Sequence, residues 1–132
     1  MGRVGHVTIG YLDGSALCSI LSPGIGGATG ARIWKSFDAA CSHNFVEIEV
    51  PAALGRSMNR VSWVFALNSL AMMTWSDQLR SEASELAWLG APAIPALHLA
   101  SARRSGCDHF VTADQTSFDW AELLDLQPIL LN

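Results

Sequence analysis

The run Val7–Leu17, VTIGYLDGSAL, constrains this chain more than any other stretch, because an apolar β-rich segment ends in an acid. Val7, Ile9, Tyr11 and Leu12 suit a strand buried on both faces, where near-continuous hydrophobics replace alternation. Asp13 then stands at the strand's carboxyl end, followed by Gly14 and Ser15. A charge at the mouth of a buried strand must be paired, bind a metal or stay wet. In open α/β sheets that edge is also where ligands bind. Aspartate is equally a favoured N-cap, so Asp13 also suits the start of a helix opened by Gly14. Both readings stand at this point.

The chain of 132 residues suits a single domain, 1–132. Half of it is hydrophobic and 15% is charged, which allows a sizeable core and argues against disorder. No stretch approaches the roughly 18 consecutive apolar residues of a membrane span. The N-terminal MGRVGHVTIG lacks the apolar core and cleavage site of a signal peptide, so a cytoplasmic location is expected. Cys18, Cys41 and Cys107 form no zinc spacing, and an odd count in that compartment suits reduced thiols in the core. A net charge of −4 argues against a protein that coats nucleic acid through its overall field. It leaves room for a nuclease, whose metal-binding carboxylates are themselves negative.

Further along, Ser15–Leu21 reads as a short apolar helix and Ser22–Gly30, SPGIGGATG, as a loop. That loop fails as a phosphate cradle. No GK[ST] follows, and Thr29 stands where a GxGxxG begun at Gly24 needs its last glycine. Ala31–Cys41 reads as a helix. Asn44–Glu49 is ambiguous between a short strand and a helix start, and Pro51 suits the first turn of a helix with Glu49 just ahead of it or in its first turn. Val61–Met73 reads as a buried helix leading to a strand at Met72–Trp75. Ser76 or Asp77 caps a helix to Trp88 that Gly90 stops, and another helix runs from Ile94 to Ser105 before Gly106. His109–Thr112 is a short strand with Asp114 just beyond it. Ser117–Leu124 is a last helix and Pro128–Leu131 a last strand.

Strands alternating with helices imply a mostly parallel sheet covered on both faces. Asp13 and Asp114 both follow strands. If those strands are neighbours, the two carboxylates share one edge and form an oxygen-rich mouth suited to Mg²⁺ or Mn²⁺. Carboxylate-held divalent ions serve metal-assisted phosphodiester hydrolysis.

The same segments resemble PIN-domain proteins. YLDGSAL resembles their opening YLDSSAL, and EVPAALGR at Glu49–Arg56 resembles the EVxRALRR of the VapC-type toxins in that family. LHLASARRSGCDHFVTAD at Leu97–Asp114 resembles their DAxHLAxAxxxGxxxFVTxD signature, with a PILL-type closing strand. The match covers nearly the whole chain in order. It implies a three-layer α/β/α sandwich and a Mg²⁺- or Mn²⁺-dependent endoribonuclease acting on RNA, restrained by a VapB-like antitoxin and commonly a homodimer. By position it implies Asp13, Glu49 and Asp114 as the metal-binding, catalytic acids and Ser15 as their supporting hydroxyl.

One family acid is missing: Pro95 stands where DAxHLA begins, and proline neither ligates a metal nor orients water. Two expectations follow. Either the remaining acids support a weakened nuclease, or the chain is a non-cutting module that binds an antitoxin or RNA. His98 is either a proton-transfer or phosphate group, or a packed helix residue. Arg103 and Arg104 are either RNA contacts near the acidic mouth or a favourable cationic last turn. Arg56 and Arg60 form a second small basic group. Ile33, Trp34, Phe65 and Leu67 exceed the needs of one small core and suggest a dimer or antitoxin interface.

Overall fold

The computed structural model describes residues 6–22 and 24–131. Met1–Gly5, which open the N-terminal stretch, and Pro23 of the expected loop lie outside the described residues, as does Asn132. Strand β1 (Ile9–Leu12) leads into helices α1 (Gly14–Leu21) and α2 (Ile25–Lys35), then β2 (Ala39–His43) and α3 (Val46–Leu54). A 3₁₀ turn at Gly55–Ser57 precedes α4 (Arg60–Asn68) and β3 (Ala71–Met73). The chain closes with α5 (Asp77–Trp88), α6 (Ala93–Ser105), β4 (His109–Thr112), α7 (Gln115–Leu123) and β5 (Pro128–Leu130).

The strands form one sheet in the order β3-β2-β1-β4-β5, and every pair is parallel. Alternate strand residues feed two cores, as the period of a strand requires. Tyr11, Cys41 and Phe110 pack with Leu79, Leu86 and Leu99 of α5 and α6. Leu12, Ala40 and Val111 pack with Leu17, Val50 and Trp63 of α1, α3 and α4. This is the three-layer α/β/α sandwich expected from the sequence. The chain leaves β1 outward to β2 and β3, then returns to β4 on the other side of β1. The crevice at the carboxyl ends of β1 and β4 is therefore the topological switch point. Among the described residues no helix is long and apolar enough to cross a membrane.

Several local expectations are corrected. The glycine-rich stretch is not a loop throughout: α2 begins at Ile25, inside it. Cβ atoms on Gly27 and Gly30 would collide with the Ser22 carbonyl and the Ile20 side chain, so these glycines allow α1 and α2 to approach closely. The end of the expected Ala31–Cys41 helix is instead β2, an inner strand that pairs with both β1 and β3. Pro51 lies inside α3 rather than in its first turn, because the helix starts at Val46. Helix α4 is half-exposed rather than buried: Trp63 and Ala66 face inward, while Val61, Val64 and Phe65 are exposed. Asn59 caps it, its Oδ1 accepting from Val61 N and Ser62 N. Strand β3 begins at Ala71 and ends before Trp75.

Candidate functional site

Asp13, Glu49 and Asp114 come from three separate elements and line one cleft of about 320 Å³, together with Ser15, His98 and Pro95. The sheet puts two of them there directly. Strands β1 and β4 are paired, and Asp13 N donates to Val111 O at 3.2 Å where β1 ends. Asp13 and Asp114 each follow their strand by a residue or two and cap the next helix. Glu49 enters from the first turn of α3, as expected. Pro95 and His98, one turn apart, are presented by α6.

Asp13 is only 3% exposed and fully engaged. Its Oδ1 accepts from Ala16 N and from Ser15 Oγ, both at 2.8 Å, and its Oδ2 accepts from Thr112 Oγ1 at 2.6 Å. Both earlier readings of Asp13 hold in part: it is a helix cap and also a cleft residue. Burial pushes its carboxyl above the usual range, against the nearby His98 and the bonds from Thr112, Ala16 and Ser15. Ser15 also accepts from Ala113 N at 2.9 Å, which ties α1 to the chain after β4. Asp114 Oδ2 accepts from Ser117 N at 3.1 Å and Ser117 Oγ at 2.8 Å.

Glu49 Oε1 accepts from His98 Nε2 at 2.7 Å. The glutamate reaches that bond by lying over α1, since a Cβ on Gly14 would fall on its carboxylate. His98 is 1% exposed, and its Nδ1 lies 2.8 Å from the hydroxyl of buried Tyr11. Tyr11 is itself held by stacking on Phe110, ring centroids 5.7 Å apart. His98 is thus packed, as the plainer expectation had it, and hydrogen-bonded into the cleft as well.

The oxygen donors match a hard cation in chemical kind. Their placement does not gather them: among the described residues no three His, Cys, Asp or Glu side chains stand close enough together to hold a metal ion. Each acid is instead spent partly on a protein donor. Pro95 leaves the α6 side of the cleft without a carboxylate.

Arg103 and Arg104 are not near the acids, contrary to expectation. They occupy the last turn of α6, at the opposite end from Pro95. Arg104 donates to Glu82 at 3.1 Å and Gln78 at 2.6 Å on α5, which fixes it to the neighbouring helix. Sequence reasoning passed over Thr112 and Ser117. Ser117, three residues after Asp114, had a legible signal as a capping partner of an N-terminal acid. Thr112 had none beyond its adjacency to the acid-bearing turn.

Comparison with solved structures finds this fold in a chain of a toxin–antitoxin complex from Klebsiella pneumoniae, with a TM-score of 0.68 and 14% sequence identity. The superposition covers 83% of this chain and 89% of that one, so the likeness is one of whole folds. Neither protein-family models nor curated proteins give a match to this sequence.

Proposed function

We propose that this chain is a PIN-type toxin of the VapC kind, an endoribonuclease that uses Mg²⁺ or Mn²⁺ and is restrained by an antitoxin. The observation that carries the reading is the convergence of Asp13, Glu49 and Asp114 on the switch-point cleft from β1, α3 and β4. A bound divalent cation supplies charge stabilisation to a phosphodiester and an activated water. Asp13, fixed by three donors and almost fully buried, is the rigid wall of the cleft. Asp114 holds one oxygen to Ser117 and offers the other. Glu49 offers the oxygen that His98 does not take. With Pro95 in place of an acid, cation affinity is weak and cleavage slow.

The antitoxin reading draws on α4. Val61, Val64 and Phe65 are 65%, 54% and 68% exposed and stand at i, i+3 and i+4, the stripe of an unpartnered amphipathic helix. Trp34 and Lys35 line a groove on one side of it with Phe65, and Arg56 and Arg60 line another with Val64. The neighbour in fold belongs to a toxin–antitoxin complex. Trp88 and Leu89, 87% and 72% exposed at the end of α5, are a separate surface for a homodimer.

The test is cleavage of RNA in Mn²⁺ or Mg²⁺ by the wild type, Asp13→Asn, Asp114→Asn and Pro95→Asp. Wild-type cleavage lost in both Asn variants and raised by Pro95→Asp is expected. Cleavage indifferent to Asp13 and Asp114 defeats the site. A second reading, the non-cutting binding module, is favoured by the ungathered donors and Pro95. It is chosen if only Pro95→Asp cuts.

A further inference from the structure

The face around α4 is cationic as well as apolar, and from this we infer the chemistry of its occupant: an amphipathic helix whose apolar stripe is bordered by carboxylates. The inference rests on α4 being a docking face and adds what the partner segment is made of. Charge is segregated along the chain. Residues 14–37 and 50–76, which include α1, α2 and α4, carry four of the eight basic residues and none of the twelve acids. The four are Arg32, Lys35, Arg56 and Arg60, all exposed, and among the described residues none of them forms an ion pair. Arg80 and Arg104, by contrast, lie against Asp77 and Glu82. A chain with a net charge of −4 thus holds one face of the opposite sign.

The cations flank the apolar ridge of Val61, Val64 and Phe65. Arg56 and Arg60 line a groove of about 770 Å³ on the Val64 side, and Lys35 lines one of about 600 Å³ on the Phe65 side. Among the described residues no acid lines either groove. A ridge between two grooves receives the side-chain rows of a second helix, with its apolar stripe on the valines and phenylalanine. Guanidinium and ammonium groups on both borders then select carboxylates, and their field steers an acidic segment to this face. A second copy of this chain does not satisfy the same demands. Two α4 faces joined by a two-fold axis would set cation against cation. Helix α5 does carry exposed Glu85 beside exposed Trp88, but it packs on the opposite side of the sheet from α4. Its insertion into another copy's grooves would be head-to-tail and would not close a dimer. Single-stranded nucleic acid would pair with the cations and leave the valines unmatched.

Selection and titration test this. A displayed library of helices of about 16 residues, long enough to hold the conformation, carries leucine at i, i+3, i+4 and i+7. Glu, Lys or Ser stands at random in the bordering positions. The library is selected on wild type and counter-selected on Phe65→Glu. Enrichment of Glu is expected. Enrichment of Lys, or no charge preference, overturns the inference and leaves α4 as a docking face. If no binder is sensitive to Phe65→Glu, the docking reading of α4 falls, and the inference with it. An enriched helix, titrated by calorimetry, should bind the double variant Arg56→Glu/Arg60→Glu about tenfold or more weakly than wild type. Its affinity should fall with added salt and be unchanged in Arg103→Glu, on α6 outside both grooves. Equal binding to wild type and the double variant overturns the inference. So does displacement of the helix by a single-stranded RNA of about 12 nucleotides, which assigns the cations to nucleic acid. A wild-type dimer that Phe65→Glu dissolves in sedimentation assigns the ridge to a second copy and overturns it as well.

Discussion

Replacing Gly14 with alanine gives a sharp test of how the cleft is built. The added methyl would take the place of the Glu49 carboxylate. Glu49 is long and flexible, so α1 need not move; the carboxylate moves and gives up the Nε2–H of His98, 2.7 Å away. His98 is 1% exposed, so that N–H is left buried without an acceptor. An unsatisfied buried donor costs about 1–3 kcal/mol. Against this, alanine in place of glycine in the first turn of α1 favours the helix by less than about 1 kcal/mol. The net is a destabilisation of about 1–2 kcal/mol, which corresponds to a fall in Tm of roughly 2–8 °C for a domain of this size. The assay is thermal and urea unfolding of Gly14→Ala in two backgrounds, wild type and Glu49→Ala. In the second background the methyl meets no carboxylate and the N–H is already orphaned, so the same substitution should be neutral or stabilising. That reversal of sign isolates the coupling between positions 14 and 49. If Gly14→Ala is neutral or stabilising in both backgrounds, Glu49 does not lie over α1 and the geometry argued for the cleft is wrong.

Two further outcomes are expected. The fully buried His43 accepts from Phe45 N through Nδ1 at 3.0 Å, and burial, with nearby His98 acting in the same direction, pushes its pKa from the ordinary 6.5 down to about 4. The fold prefers the neutral ring, so this contribution is complete above pH 6.5 and is lost as pH falls through about 4. Urea-unfolding stability should therefore fall more steeply over that window in wild type than in His43→Asn, whose side-chain oxygen can take over the Phe45 amide; equal slopes exclude His43 as the source. On α4, Phe65→Glu alters a residue that is 68% exposed, so stability should change by no more than about 0.5 kcal/mol. If the antitoxin proposed above binds there, its capture on co-expression should be abolished, and retention at wild-type strength refutes α4 as its seat.

Strong local signals were legible in the sequence. Strands β1 and β4 announced themselves by β-branched and aromatic residues, α5 by Ser76 and the Leu79 and Leu86 spacing, and α6 by Gly106, whose left-handed φ of 68° ends it. The acids followed, because each trails a readable strand or precedes a readable helix. Strand β2 was illegible because its sequence is AACSH, without a β-branched residue. Its pairing between β1 and β3 decides its conformation, and that is a tertiary fact. The early start of α2 was hidden by glycines whose small size serves packing against α1, a purpose that looks locally like a break. The apolar content of α4 suggests burial on every side, whereas only one stripe of it faces the core. The wrong placement of Arg103 and Arg104 had a related cause. Nearness along the motif is not nearness in space, because α6 carries them some 13 Å down its axis from Pro95 at about 1.5 Å per residue.

Pro95 is the third residue of α6, and the first main-chain bond of that helix runs from Ala96 N to Pro92 O at 2.8 Å. The ring therefore removes no hydrogen bond, and its fixed φ suits a helix entrance. Proline at this point therefore costs the helix no main-chain hydrogen bond, and its effect falls on the cleft that it lines. On the function proposed above, a cutting and a merely associating form of this molecule would differ at a position where the helix accommodates either residue.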